Sequence, residues 1–251
     1  MSWFRKLLGG TPTPAPAEPP KRLQPLLSVQ LPPSEPGQLY GDQVARKQFM
    51  EALLSNEGVR VNPHLPAIES EAEVTLRTPE EVAGRLLALA IVAVKGEGLD
   101  QETVDAIAEE RGVLPLLSPK EHAFIAENPP SEHDRLQFSW RYEAAWVLFW
   151  ALGWDESPVL GLPRAICDVP RLAGTVRDTP DLAARGLRSA NDILNEADLI
   201  YRCHWAVRQA SIDGEVPSGG LEPGVTMERH HALNWLIRYN DAEWDEVSTD
   251  T

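Results

Sequence analysis

The chain has little of what most functional classes require. It holds only two cysteines, Cys167 and Cys203, and neither belongs to a C-x-x-C pair. A thiolate zinc site is therefore not expected, and two buried, reduced thiols fit a cytoplasmic protein. Positive charge is also scarce: 23 Lys and Arg stand against 38 Asp and Glu, a formal net charge of -15. An acidic surface repels phosphate backbones, and no basic run interleaved with aromatics offsets it, so nucleic acid is not an expected partner. The longest apolar runs, Leu86–Val94 and Ala144–Leu152, fall well short of the roughly 20 residues needed to cross a bilayer, so no transmembrane segment is expected. Met1–Gly10 lacks the apolar stretch of a secretory signal. The phosphate-loop pattern G-x-x-x-x-G-K followed by Ser or Thr does not occur, nor does a G-x-S-x-G elbow or a His-Glu-x-x-His zinc motif. No stretch sustains the period-two alternation of a strand, and no internal repeat is visible.

What the chain does have is a tryptophan-rich block, Trp140 to Trp154, which carries half of its eight tryptophans. The block reads as a helix that is apolar nearly all round, and such a helix is buried at the centre of a domain. Arg141 and Glu143 lie in its first turns. A carboxylate among tryptophans must be paired, protonated or functional.

Start signals divide the rest into helices. Asp42 is placed to cap a helix through Asn56, with Val44, Phe49, Leu53 and Leu54 inward. Thr78-Pro79-Glu80-Glu81 and Ser118-Pro119-Lys120-Glu121 are capping boxes with proline at the first helical position. Asp100 is placed to cap a helix closed by Gly112. Ser131 opens the long tryptophan helix, closed by Gly153, and Ser189 opens another through Ile212. Pro158 to Gly174 reads as irregular, with Asp168 capping a short turn. After the Asp213–Gly224 loop, a last long helix is expected from Val225 to Tyr239. The expected fold is a single, mostly α domain over residues 41–251, packed around the buried tryptophan helix.

Residues 1–40 read as a disordered tail. Prolines crowd the segment from Thr11 to Gly37, which suits an extended linker. Ahead of them, Trp3, Phe4, Leu7 and Leu8 share one helical face. Residues 1–10 could thus present a short peptide to a protein partner or, more weakly, to a membrane surface.

Two further constellations could carry chemistry. His204 falls on the apolar stripe of its helix, with Ile193, Ala197, Ile200 and Val207, and is flanked by Tyr201, Arg202 and Trp205. The last helix opens with Glu228-Arg229-His230-His231. If the two helices form an antiparallel hairpin, His204 lies about 12 Å and His231 about 10 Å from the loop end. His204, Glu228, His230 and His231 would then be candidate ligands for a divalent metal, and Glu143 with His204 candidate acid–base groups of a hydrolase-type enzyme. Arg141, Tyr201, Arg202 and Arg229 could hold an anionic ligand. The ordinary reading stands beside these. A histidine on an apolar face is a core residue with one hydrogen bond, and Glu143 is half of a buried ion pair with Arg141, Arg202 or Arg229. Asp198 and Arg202, four apart, can pair. That reading makes the chain a non-catalytic interaction or regulatory module without a cofactor.

Motifs spread over most of the chain carry a resemblance. They include Arg77–Ala83, Trp140–Ala144, Trp150–Gly153, Cys167-Asp168-Val169, Asp198–Arg202 and His204-Trp205-Ala206. Leu187-Arg188-Ser189, Glu228-Arg229-His230, Ala232–Trp235, Trp244-Asp245 and Thr249-Asp250-Thr251 complete the set. In this order, from about Val44 onward, the sequence resembles the bacterial domain of unknown function 4272 family. The resemblance implies a bacterial, cytoplasmic protein and brings no activity with it.

Overall fold

Helix α1, Gly41–Asn56, shows at once how local signals and packing differ. The computed structural model describes residues 38–251, so the expected tail and its peptide at residues 1–10 lie outside the described residues, save positions 38–40. Asp42 does not cap α1. Tyr40 stands at the N-cap, and Asp42 is buried inside the first turn, where it accepts from Ser70 Oγ, from the backbone N–H of Glu71 and from Arg46. The inward face of α1 therefore includes Asp42, Gln43 and Arg46 with Met50 and Leu54, while Val44 is exposed. Leu54 is buried and Phe49 and Leu53 pack against the core as the periodicity predicts; bonds to the 68–71 segment hold the polar part of the face, which periodicity does not reveal.

Both capping boxes form as the sequence predicts. Thr78 opens α2, Pro79–Gly96, and Ser118 opens α4, Pro119–Ala126; in each, the glutamate at the third position returns a bond to the cap. Asp100 caps α3, Gln101–Glu110. The single long tryptophan helix is instead two: α5, Glu132–Ser139, and α6, Arg141–Ala151. The chain tightens at Trp140, where the Glu143 N–H bonds the Trp140 carbonyl, an i→i+3 contact. The break lets α5 lie against α2, its backbone close to Gly96, while α6 enters the core with every residue from Tyr142 to Ala151 buried.

The region after Pro158 is more regular than expected: Asp168 caps α7, Val169–Asp178, a helix of ten residues. Ser189 caps α8, Ala190–Asp213, which Gly214 ends in the left-handed conformation. The last helix, α9, spans Pro223–Leu236 and stops short of Tyr239. Beyond it the backbone turns through three non-glycine residues with positive φ: Arg238 (53°), Asn240 (55°) and Asp241 (50°). Such conformations cost about 1 kcal/mol or more each and persist where neighbours impose them. Here Arg238 bonds both oxygens of Glu81, and Arg77 donates to the Ala242 carbonyl.

The described residues form one mostly helical domain, with no strand among them. Helix α6 packs against α2 and α9, α9 packs against α8, and α8 packs against α1. Trp150, Phe149, Leu148, Leu86, Leu89, Ile193 and Leu194 are fully buried at the centre. No helix among the described residues is long and apolar enough to cross a membrane.

Candidate functional site

The sequence candidates divide into closed pairs. Glu143, on the second residue pair of α6, is 2% exposed. Arg229 of α9 donates to its Oε2 from Nε and Nη2 (3.1 and 3.0 Å), and the Cys167 backbone N–H donates to its Oε1 (2.6 Å). Both carboxylate oxygens are thus occupied by charge-assisted bonds. One residue earlier on α9, Glu228 takes Nη1 of Arg141 on both oxygens (3.1 and 2.9 Å). Burial pushes the Glu228 carboxyl above its ordinary range, and Arg141 pulls in the opposite direction. Asp198 and Arg202 pair across one turn of α8 through two bonds of 2.9 Å, and Arg202 also reaches Glu51 and the Pro66 carbonyl.

The histidines separate as well. His204 and His230 meet edge to face between α8 and α9, their Nδ1 atoms 2.8 Å apart. Burial lowers both from 6.5, to about 4 and about 3, with Arg208 adding to the effect on His204 and the neighbouring histidines to that on His230. Two neutral rings in this contact share one Nδ1 proton, so one Nε2 is left a donor and the other an acceptor. His231 points away to the Trp244 carbonyl (3.0 Å), its ring edge-on to that tryptophan, and burial holds it near 4. The structure therefore brings together only two of the four candidate metal ligands, His204 and His230. Glu228 is bound to Arg141, and among the described residues no group of three or more His, Cys, Asp or Glu side chains is placed to hold a metal ion.

Of the candidate anion-binding residues, Arg141, Arg202 and Arg229 each face a carboxylate, and the Tyr201 ring lies 5.9 Å from that of His230. Cys167 is buried, and burial followed by the Glu143 charge pushes its thiol far above the ordinary range, which removes it as a nucleophile.

A cavity of about 440 Å³ opens beside the histidine pair. Tyr201 and Ala197 of α8, His230 and Asn234 of α9, and Glu69 and Glu73 of the segment before α2 line it. Tyr239 reaches it from the strained turn after α9, and Asp250 and Thr251 close it. Its volume lies in the range of small-molecule sites. Residues 66–73 belong to no amphipathic pattern, and Ile237 and Tyr239, expected on the last helix, reach the cavity because that helix ends at Leu236. Burial raises the Tyr201 hydroxyl, keeping it protonated, and Asp198 and Tyr239 add to that shift against Arg202.

Among known families, the profile of the Domain of unknown function (DUF4272) matches residues 46–247. No curated protein and no solved structure matches the chain.

Proposed function

The chain belongs to the DUF4272 family, and we propose that its folded part is a non-catalytic regulatory module that binds a small molecule in the cavity between α8, α9 and the 66–73 segment. One observation carries this reading. The charged candidates are spent on one another, Glu143 on Arg229 and Glu228 on Arg141, while the cavity is walled by groups that still face open space. Buried ion pairs of this kind fix how helices dock and lend little to chemistry. They hold α6 to α9, and through α9 the cavity keeps its shape.

The test is thermal denaturation against a panel of small amines, carboxylic acids, polyols and nucleosides. Wild-type protein should be stabilised by one class of compound, because a ligand that binds only the folded state raises the melting temperature. Ala197→Leu and Ala67→Phe each place bulk in the cavity from a different element, and each should abolish the rise. A rise that survives in both variants, or none with any compound, would end the reading.

A second reading retains acid–base chemistry, because neutral His230 lines the cavity near Tyr201. In that case the working base is the His204–His230 pair, and Glu143 only positions α9. Turnover of a panel compound, followed by proton NMR and lost in His230→Gln, would favour it over simple binding.

A further inference from the structure

We infer that the cavity takes a small organic cation, an ammonium or guanidinium carried on a short aliphatic body. This inference rests on the ligand-binding reading and adds the charge of the ligand. Three carboxylates line the space, those of Glu69, Glu73 and Asp250, and none of the described lining residues is a lysine or an arginine. Three arginines lie close to it, and each faces a carboxylate. Arg46, whose Nη1 donates to the Glu69 carbonyl, is paired with Asp42. Arg202, whose Nη2 reaches the Pro66 carbonyl, is closed by Asp198 and Glu51, and Arg238 on the adjoining groove is bound to Glu81.

The remaining lining groups suit a cation rather than simply adding charge. Asn234 is 7% exposed, and its Nδ2 donates to the Ser248 carbonyl at 2.8 Å. That bond leaves Oδ1, a pure acceptor, unclaimed by any described residue. Among the described residues no group donates to the Glu69 side chain, and Glu73 uses only Oε2, which accepts from the Ser70 N–H at 3.1 Å. Tyr201 and Tyr239 supply two electron-rich rings, a common complement to an alkylammonium. An anion would meet three like charges, and the arginines nearest them already face carboxylates. Glu73 and Asp250 are exposed, so a neutral polyol would gain nothing from their charge, whereas a cation would.

The lining thus offers acceptors, rings and negative charge together. That combination distinguishes it from the acidic surface that a net charge of -15 gives the whole chain.

The experiment is calorimetric titration of the intact protein with three probes of matched length: 1,4-diaminobutane, 1,4-butanediol and succinate. Diaminobutane should bind with a stoichiometry of one and the other two should not. Glu69→Gln/Glu73→Gln should weaken diaminobutane at least tenfold with an unchanged melting temperature, and Tyr201→Leu should also weaken it. Ala67→Phe should abolish it. A surface control, Glu109→Gln/Glu110→Gln on α3, should leave it unaltered. Binding of butanediol or succinate in preference to the diamine would overturn the cation while leaving a ligand site in place. Diamine binding that the two cavity variants leave intact, or that the surface control removes, would show counterion attraction alone and overturn the inference. Absence of binding by all three probes, with a panel compound still stabilising the wild type, would also overturn it; absence of any stabilising compound would remove the ligand-binding reading itself.

Discussion

The Nδ1 atoms of His204 and His230 lie 2.8 Å apart, so one ring carries its proton there and the other does not. Protonating both would place two N–H groups against each other inside the protein. The contact therefore links the proton balance of the core to the docking of α8 on α9.

Stability should fall in mildly acidic solution. The unfolded histidines take up protons near 6.5, whereas burial holds His204 near 4, His230 near 3 and His231 near 4 in the folded state. Below 6.5 the unfolded chain binds more protons, so stability is full above that value and declines as pH falls toward 4. Glu228 acts in the opposite sense: its raised pKa adds stability below its ordinary 4.5 that is lost as pH rises through the folded value. Burial also raises Glu97, with the same sign as Glu228, and three histidines against two carboxylates leave the decline dominant between pH 6.5 and 5. Circular-dichroism melts at pH 8, 7, 6 and 5 should be level over the first two and then drop. A melting temperature that climbs from pH 7 to pH 5 would contradict this assignment.

The Glu143–Arg229 pair should show strong coupling. Removing Glu143 alone leaves a buried guanidinium with only the long Ala165 carbonyl contact at 3.5 Å, and the loss is about 3–5 kcal/mol. Removing Arg229 alone leaves a buried carboxylate with one N–H partner. Replacing both by methionine removes both charges and keeps most of the volume. The double variant should thus be less destabilised than the sum of the singles, with a coupling of about 1–3 kcal/mol by urea denaturation. Simple additivity would mean that the pair does not act as a unit.

How much of this was legible beforehand depends on the range of the interaction that fixes each feature. The caps at Thr78, Asp100, Ser118 and Ser189 are local, and each opens the helix that the sequence announces. The common depth of His204 and His230 follows from helical rise once the two helices are taken as a hairpin across the Asp213–Gly224 loop, which the loop's length does not force. The break at Trp140 has no proline or glycine to signal it; it arises because α5 must lie on Gly96 while α6 turns into the core. The polar inward face of α1 escapes a reading by apolar periodicity, since Asp42 and Arg46 are buried by bonds to residues more than twenty positions away. Pairing of Glu143 could be anticipated but not its partner among three arginines. The cavity was out of reach, because Glu69 and Asp250 come from segments with no periodicity and Tyr239 reaches it only where the expected helix stops early at Leu236.

Gly96 offers a check on the α2–α5 contact. Alanine normally stabilises a helix relative to glycine by about 1 kcal/mol. Here a Cβ at position 96 would lie 2.7 Å from the Ser139 nitrogen and 2.8 Å from the Arg135 oxygen, both backbone atoms that no rotamer change can move. Gly96→Ala should therefore destabilise by about 1–3 kcal/mol, the usual range for overpacking. A gain in melting temperature would mean that α5 does not approach α2 this closely.

The most direct measurement compares the ligand-induced rise in melting temperature in three proteins: wild type, Ala197→Leu and Glu143→Gln. The compound is whichever member of the small-molecule panel stabilises the wild type most. The predicted result is that Glu143→Gln melts lower but keeps the full rise, because Glu143 belongs to the scaffold, while Ala197→Leu loses the rise. The contradicting result is a folded Glu143→Gln that no longer responds and an Ala197→Leu that still does, which would move the site from the cavity to the buried carboxylate.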